Sequence, residues 1–174
     1  MTASKPLVYL LTGHPGSGKT TYAKQLARRG VVRLSVDEEV MARHGRFGVD
    51  YPAHDHLERQ RPVLKEIQER LIQLIGSGHS VVLDHGLGRR GDRDHYKGVV
   101  ERHGGSWRLL HFKVDADELI RRVTDRNQRQ EGSPMSLEIL RWIIENSEEP
   151  VDEGQVLVTA ERPFHGQDLV PGPG

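Results

Sequence analysis

A glycine-rich segment near the N-terminus has the residue types needed to hold a chain of phosphates. Residues 13–20 read Gly-His-Pro-Gly-Ser-Gly-Lys-Thr and match the pattern Gly-x-x-x-x-Gly-Lys-[Ser/Thr] at every position. Glycines let backbone N–H groups curl around phosphate oxygens, and the N-terminus of a following helix adds a favourable dipole. In such a loop Lys19 would reach the β- and γ-phosphates, and the Thr20 hydroxyl would ligate Mg²⁺. We therefore expect ATP, or GTP, with Mg²⁺ on a loop made by Gly13, His14, Pro15, Gly16, Ser17, Gly18, Lys19, Thr20 and Thr21.

A carboxylate follows the next apolar run, "RLSV", and is a candidate general base. Transfer of a phosphoryl group to a hydroxyl needs a carboxylate beside the phosphates to accept the hydroxyl proton. Asp37 stands at the end of that run. In a doubly wound sheet we expect this strand to end beside the first strand, at the edge where ligands bind. The alternative role for Asp37 is that of a helix N-cap, which Asp favours.

The third apolar run separates a kinase from a motor or a switch protein. It ends "VVLDHGLG", so Asp84 is followed by His85 and not by the Glu that is typical of a hydrolytic site. The guanine-selecting string Asn-Lys-x-Asp is also absent. We expect Asp84 to end the strand beside the first and to hold a water on Mg²⁺ or to orient the substrate. Basic residues that follow it form either an acceptor-binding loop or an exposed basic loop: His85, Arg89, Arg90 and Arg93.

Apolar runs alternate with helical patterns along the whole chain. The strands are predicted at residues 7–13, 31–36, 76–84 (a turn and then a strand), 107–114 and 155–160. Continuous apolar strands without hairpin signals predict a parallel sheet covered on both faces. The fold class is therefore α/β: a three-layer P-loop NTPase fold with about five mostly parallel strands and a short lid. One helical stripe begins at Leu57, and Trp142 is expected in the core.

Composition limits the class of protein. The 174 residues contain no cysteine, which excludes disulfides, thiolate metal sites and a cysteine nucleophile. The formal net charge is zero and aromatic residues make up 5%, so a nucleic-acid partner is not expected. No signal peptide or membrane span is visible, and we expect a cytoplasmic protein. Residues 1–162 are predicted to form one domain and 163–174 a loose tail; the oligomeric state is left open.

The motifs together resemble a known group of enzymes. "GHPGSGKTTYAKQLA" followed by "RLSVDEEV" is similar to the small P-loop kinases related to zeta toxin, chloramphenicol phosphotransferase and the polynucleotide kinase 5′-domain, an AAA-type ATP-binding group. The resemblance continues more loosely through "VVLDHG" and "LHFKVDADELIRRVTDRNQR". It implies that Asp37 is the general base. It also implies a small-molecule hydroxyl as acceptor: an antibiotic, a nucleoside or a nucleotide sugar.

An arginine-rich helix precedes a breaker segment. Arg122, Arg126 and Arg129 are spaced to share one helical face. The arrangement resembles the lid entry of nucleoside-monophosphate-type kinases, which implies that one arginine lies near adenine and another reaches the transferred phosphoryl group. We expect Arg126, together with Arg122, to bind the nucleotide and to stabilise the transferring group. The lid would be residues 128–136. A solvated helix face is the alternative.

An irregular segment, residues 46–56, contains the remaining candidates for acceptor binding. Tyr51 and His54 lie in it, and we expect them to line the acceptor pocket together with Asp84, His85 and Arg89. The string His-Asp-His at 54–56 could suggest zinc, but it lacks a third ligand of suitable spacing. The open alternatives in function are a 5′-hydroxyl polynucleotide kinase, a zeta-toxin-like sugar-nucleotide kinase and a regulatory ATPase that has no acceptor.

Overall fold

Strands and helices alternate throughout the computed structural model, which describes residues 4–159. The predicted tail, 163–174, lies outside the described residues, as does residue 160 of the last predicted strand. In chain order the elements are β1 (Leu7–Gly13), α1 (Lys19–Ala27), β2 (Val32–Ser35), α2 (Val36–His44), a short 3-10 helix (Ala53–Asp55), α3 (His56–Gly76), β3 (Val81–Asp84), α4 (Arg90–Arg102), β4 (Ser106–Phe112), α5 (Ala116–Gln128), α6 (Leu137–Asn146) and β5 (Gln155–Val158).

The five strands form one parallel sheet in the order β2-β3-β1-β4-β5. This confirms the predicted fold class and places β1, the strand before the glycine-rich loop, at the centre. The expectation that β2 ends beside β1 is wrong, because β3 lies between them. The helical connections are long enough to skip a strand, so the order along the chain does not specify the order in space. Asp37, which follows β2, is therefore one strand further from the glycine-rich loop than the sequence predicted.

Alternation along β1 explains the three layers. Val8 and Leu10 point into one core, which is completed by α3 and α4, whereas Tyr9 and Leu11 point into the other, which is completed by α1. All four side chains are buried. A strand that is covered on both faces has no polar face, and this is why the sequence shows continuous apolar runs.

Two hydrophobic residues that were expected inside are exposed. Leu57 is 74% exposed, because the 21-residue α3 is much longer than four-residue β3 and its first turn projects past the sheet. Trp142 is 58% exposed on α6, where Leu140 is the buried residue. Two residues correspond to roughly 200° around a helix, so Trp142 points away from the core side.

A buried ion pair connects α4 to the segment before β5. Arg93 is 0% exposed, although the sequence suggested an exposed basic loop. Its Nε and Nη2 donate to the Glu153 carboxylate at 2.8 and 2.9 Å, and its Nη1 donates to the Leu87 carbonyl at 3.0 Å. The Thr12 hydroxyl donates to the same carbonyl at 2.7 Å. Arg93 therefore joins α4 to the loop after β3 and to the segment before β5, and Thr12 ties that loop to β1 immediately before the glycine-rich loop.

No helix within residues 4–159 has both the length and the apolar character needed to cross a membrane.

Breaking the Arg93–Glu153 pair should be costly. Arg93→Met or Glu153→Leu alone should lower the free energy of unfolding by about 3–5 kcal/mol, because the remaining group is buried without its partner. The double variant Arg93→Met/Glu153→Leu should recover a large part of that loss. Urea unfolding measures all three. Lys113→Met, which removes the exposed Lys113–Glu149 pair, is the control and should cost at most about 1 kcal/mol. Additive losses in the double variant would contradict the pairing.

Candidate active site

The glycine-rich loop connects the central strand β1 to α1 at the carboxyl edge of the sheet. Gly13 ends β1 where a Cβ atom would lie 2.7 Å from both the Phe112 carbonyl oxygen and Ser17 Oγ, so no side chain fits there. Gly18 precedes α1 with φ of +100°, in the left-handed region that L side chains rarely adopt. These positions need glycine for the turn itself, and the turn leaves the N-terminus of α1 open to an anion.

Lys19 lies over this loop, and the charges of several other residues of the site act on its ammonium group. Its ammonium donates to the carbonyls of Gly13 and His14 at 2.7 and 2.9 Å. Burial lowers the pKa of Lys19 to about 8. The charges of Asp84 and Asp37 oppose the lowering, whereas that of Arg126 adds to it. Three predicted site residues from three separate elements are therefore close enough to act on one ammonium group.

Asp84 and Thr20 form a pair of oxygen ligands next to the loop. The Thr20 hydroxyl donates to Asp84 Oδ1 at 3.3 Å. Hydroxyl and carboxylate oxygens are the ligands that Mg²⁺ prefers, so this donor set fits the expected ion. The second oxygen, Oδ2, accepts from Nη2 and Nε of Arg33 at 2.6 and 3.0 Å. Asp84 is 5% exposed, and both of its oxygens are engaged.

Asp37 is oriented by the first turn of α2 and has a free carboxylate. The N-cap of α2 is Ser35, whose Oγ accepts from the Glu38 backbone N–H, so Asp37 does not cap the helix. The Asp37 side chain is exposed, and within residues 4–159 it forms no hydrogen bond or ion pair. Its charge nevertheless acts on Lys19 and on His85. Although β2 is not adjacent to β1, the turn into α2 brings this carboxylate to the site.

An aromatic cluster lies next to Asp37. The Tyr51 hydroxyl and His56 Nδ1 are 2.7 Å apart, and the two rings stack with their centroids 6.1 Å apart. Phe47 packs edge-on against His56 at 4.8 Å. The charge of Asp37 acts on both Tyr51 and His56, although burial raises the pKa of Tyr51 and lowers that of His56. Tyr51 therefore lies near Asp37, but its side chain is only 5% exposed and belongs to the hydrophobic core.

The other acceptor candidates differ in position. His85 belongs to the site, since the charges of Lys19 and Asp84 act on it and burial lowers its pKa. His54 lies at the surface, with its side chain 81% exposed and paired with Asp55. Arg89 is exposed at the start of α4. Among the described residues, no three or more His, Cys, Asp and Glu side chains are grouped as metal ligands, at 54–56 or elsewhere.

The three arginines of the lid helix have three different environments. Arg122 is engaged, since its Nη1 donates to the Gly16 carbonyl at 3.1 Å and its Nε to Glu118 at 2.9 Å. Arg126 is partly buried, and its Nε is buried without a hydrogen-bond partner among residues 4–159. Arg129 is exposed at the C-terminus of α5. Arg122 thus attaches the helix to the glycine-rich loop, whereas the charge of Arg126 acts on Lys19 and its side chain has no bonded partner in the described part of the chain.

The segment predicted to be the lid, residues 128–136, is a loop that contacts the aromatic cluster. The Asn127 side chain joins its two ends by bonding the Met135 carbonyl and N–H at 2.6 and 3.0 Å. Ser133 Oγ accepts from the Phe47 N–H at 3.1 Å. The lid and the aromatic cluster are therefore neighbours, on the same side of the site as Asp37.

Two residues of this site were not identified from the sequence. His56, and not His54, bonds Tyr51, and only the course of the chain around the 3-10 helix decides which one faces inward. Arg33 could have been noticed, because an arginine within a short apolar strand must find a carboxylate partner.

Comparison with known proteins assigns the family. Residues 8–150 match the model of the AAA domain family. The chain belongs to the AAA domain family. This agrees with the AAA-type ATP-binding group that the motifs resemble. A search of curated protein sequences found no significant match.

Solved structures share the fold of this AAA domain. A presumed kinase from Chloroflexus aurantiacus is 16% identical with a TM-score of 0.76, and the alignment covers 97% of this chain and 94% of that one. A sugar kinase from Janibacter is 22% identical with a TM-score of 0.64, covering 92% and 88%. The Mycobacterium tuberculosis APS kinase, solved with AMPPNP and APS, is 19% identical with a TM-score of 0.59, covering 91% and 90%. At these identities the similarity shows the fold.

Nucleotide binding should be linked to proton uptake by Lys19. With a pKa of about 8, most Lys19 is neutral at pH 8.5, and a bound phosphate chain favours the charged form. ADP binding at pH 8.5 should therefore take up about half a proton or more, and the affinity should fall as the pH rises above 8. Calorimetry in two buffers of different ionisation enthalpy measures the uptake. At pH 7 the lysine is already charged and its contribution should vanish; equal uptake at both pH values would contradict the assignment.

Proposed function

We propose that this AAA domain protein is an ATP-dependent kinase that transfers the γ-phosphoryl group to a hydroxyl of a small molecule. One observation carries the proposal. The charges of Asp37 and Arg126 both act on Lys19, yet neither side chain has a hydrogen-bond or ion-pair partner within residues 4–159. A free base and a free cation beside a phosphate-binding lysine are the groups that phosphoryl transfer to an alcohol requires.

The roles follow from the positions of these groups. The backbone of residues 13–20 and Lys19 bind the phosphates. Asp37 accepts the proton as the acceptor O–H bond breaks, the acceptor oxygen bonds to the γ-phosphorus, and the bond from that phosphorus to the β,γ-bridging oxygen breaks to release ADP. Arg126 donates hydrogen bonds to the phosphoryl group during transfer. Thr20 would hold Mg²⁺ directly and Asp84 through a water, and the ion would neutralise charge on the phosphates.

The free carboxylate favours a kinase over a regulatory ATPase. Of the two carboxylates that act on Lys19, Asp84 is bonded through both oxygens, to Thr20 and Arg33, and is poorly placed to take a proton. Asp37 is uncommitted and has the Tyr51–His56 cluster as its neighbour. An enzyme that only hydrolyses ATP would need no such cluster beside its base.

The acceptor class is narrowed by composition and by the aromatic cluster near Asp37. Zero net charge gives no general attraction for a polynucleotide. The aromatic and imidazole rings near Asp37 suit a small hydroxyl compound such as a sugar, a nucleoside, a nucleotide sugar or an antibiotic. The similar folds that act on small molecules, a sugar kinase and an APS kinase, support this choice.

A substrate screen tests the proposal. Purified protein with Mg-ATP is incubated with nucleosides, nucleotide sugars, simple sugars, antibiotics and 5′-hydroxyl oligonucleotides, while ADP release and a mass gain of one phosphate are recorded. We expect a small hydroxyl compound to gain phosphate. Phosphorylation of only the oligonucleotides would support the polynucleotide kinase, and brisk ADP release with no phosphorylated acceptor would support the regulatory ATPase.

Replacing the base should separate chemistry from binding. Asp37→Asn should reduce the rate at which phosphorylated acceptor forms by about 10²-fold or more, because an amide cannot take the proton of the acceptor hydroxyl. ADP affinity, measured by calorimetry, should stay within about threefold of wild type. Glu39→Gln is the matched control on the same helix, where Glu39 pairs with Arg43, and it should keep wild-type turnover. An equal effect of both substitutions would argue against Asp37 as the base.

Replacing the free arginine should affect the transition state. Arg126→Met should lower kcat by about 10³-fold, the lower end of the range for an arginine on the transferring phosphoryl group. The KM for ATP should change only slightly, since the loop and Lys19 still bind the phosphates. Arg129→Met, at the exposed end of the same helix, should have little effect. A large rise in KM with unchanged kcat would instead place Arg126 on the bound nucleotide alone.

A further inference from the structure

The Arg33 guanidinium donates hydrogen bonds to two carboxylates, those of Asp84 and Glu38, at the edge of the site. We call this arrangement the fork. Nε and Nη2 of Arg33 donate to Asp84 Oδ2 at 3.0 and 2.6 Å, and its Nη1 and Nη2 donate to the two carboxylate oxygens of Glu38 at 2.8 and 2.9 Å. The Arg33 side chain is 14% exposed. One guanidinium therefore joins the ends of two neighbouring strands, because Asp84 terminates β3 and Glu38 lies in the first turn of the helix after β2.

The two hydrogen bonds from Arg33 fix the orientation of the Asp84 carboxylate. With Oδ2 occupied by Arg33, Oδ1 is directed at the Thr20 hydroxyl, 3.3 Å away. Arg33 and Asp84 lie on paired strands, two residues apart in register, since Arg33 pairs with Val82 and Ser35 with Asp84. A bidentate contact from a guanidinium restrains a carboxylate more strongly than the single contact that an ammonium could make.

The same group also restrains the helix that carries Asp37. Glu38 is the residue after Asp37 in the first turn of α2, and its pKa is lowered by the hydrogen bond from Arg33. Its backbone N–H is bound to Ser35 Oγ. Glu38 thus makes both attachments of the first turn of α2, to Ser35 and to Arg33, and Asp37 is the residue before it.

We propose that Arg33 is a positioning residue that sets both the metal-side carboxylate, Asp84, and the base, Asp37, in one geometry. The inference rests on the proposed kinase function. Arg33 also contributes a positive charge that partly offsets Asp84 and Glu38, so it limits the negative charge presented to Mg²⁺. Two substitutions separate these effects: Arg33→Lys keeps the charge and loses the fork, whereas Arg33→Gln loses both.

The first measurement needs no acceptor. ADP binding is followed by calorimetry without metal and over a series of Mg²⁺ concentrations. The half-effect concentration is the Mg²⁺ concentration that produces half of the metal's effect on ADP affinity. Arg33→Gln should lower it by about threefold or more, because one positive charge next to Asp84 is gone. Arg33→Lys should stay within about twofold of wild type. A wild-type or higher half-effect concentration in Arg33→Gln would overturn the proposed effect on the metal side.

The second measurement uses the acceptor found in the screen. Both variants should lose about tenfold or more in kcat while the KM for ATP stays within about threefold, because the fork is absent from each. Arg43→Gln is the matched control: Arg43 lies on α2 and pairs with the surface residues Glu39 and Glu66, and its removal should leave kcat and the metal dependence unchanged. A lower melting temperature with wild-type kcat and metal dependence would show a merely structural role and overturn the proposal.

The two arms keep the two claims apart. If wild-type protein binds Mg-ADP but phosphorylates no acceptor, the kinase proposal fails, and the metal arm still decides whether Arg33 acts on Asp84. If the wild type is an active kinase and Arg33→Lys retains its kcat, the positioning claim fails while the kinase proposal stands.

Discussion

The central place of β1 in the parallel sheet is the constraint on which the site depends. A strand with neighbours on both edges and helices on both faces can deliver its chain only at its end, and β1 ends at Gly13 between the ends of β3 and β4. The backbone must turn there in very little space, as the positions of Phe112 and Ser17 around Gly13 show. Lys19 lies partly buried over the same strand end, where its ammonium donates to the Gly13 carbonyl and the charges of Asp84 and Asp37 act on it. The conformation of the loop and the electrostatics of the site therefore both depend on where β1 ends.

Charge compensation divides the ionic groups of the protein into two kinds. Asp84 and Glu153 are buried and each is bound by an arginine fork, from Arg33 and from Arg93. Buried carboxylates need such partners, because an uncompensated charge in the interior is very costly. Asp37 and Arg126 have none within the described residues. Groups whose partner is supplied by the protein hold the structure, whereas groups left without one are available to a bound substrate.

The fold was largely predictable, and the site was predictable in part. Five apolar runs between helical patterns were enough for a three-layer parallel fold, because a strand buried on both faces must be apolar throughout. The glycine-rich loop could be read directly, since its function requires backbone conformations that glycine allows. Asp37 was identified for an incomplete reason, because the adjacency of β2 and β1 that supported it is wrong. Arg93 was misjudged as a loop residue, since a helical pattern does not show that an arginine on its inner face has a buried partner sixty residues away.

What the sequence determined by itself is therefore local: the loop at 13–20, the alternation of strands and helices, and the acidic residue after the second strand. These features depend on backbone conformation and on side-chain periodicity, which a few neighbouring residues specify. The tertiary structure decided the order of the strands, the inward position of His56 and not His54, the clamp of Arg122 on Gly16 and the fork of Arg33 on Asp84. Each of these joins residues that are distant in the chain or separated by an irregular turn. Their contacts form only when the sheet brings the strand ends together.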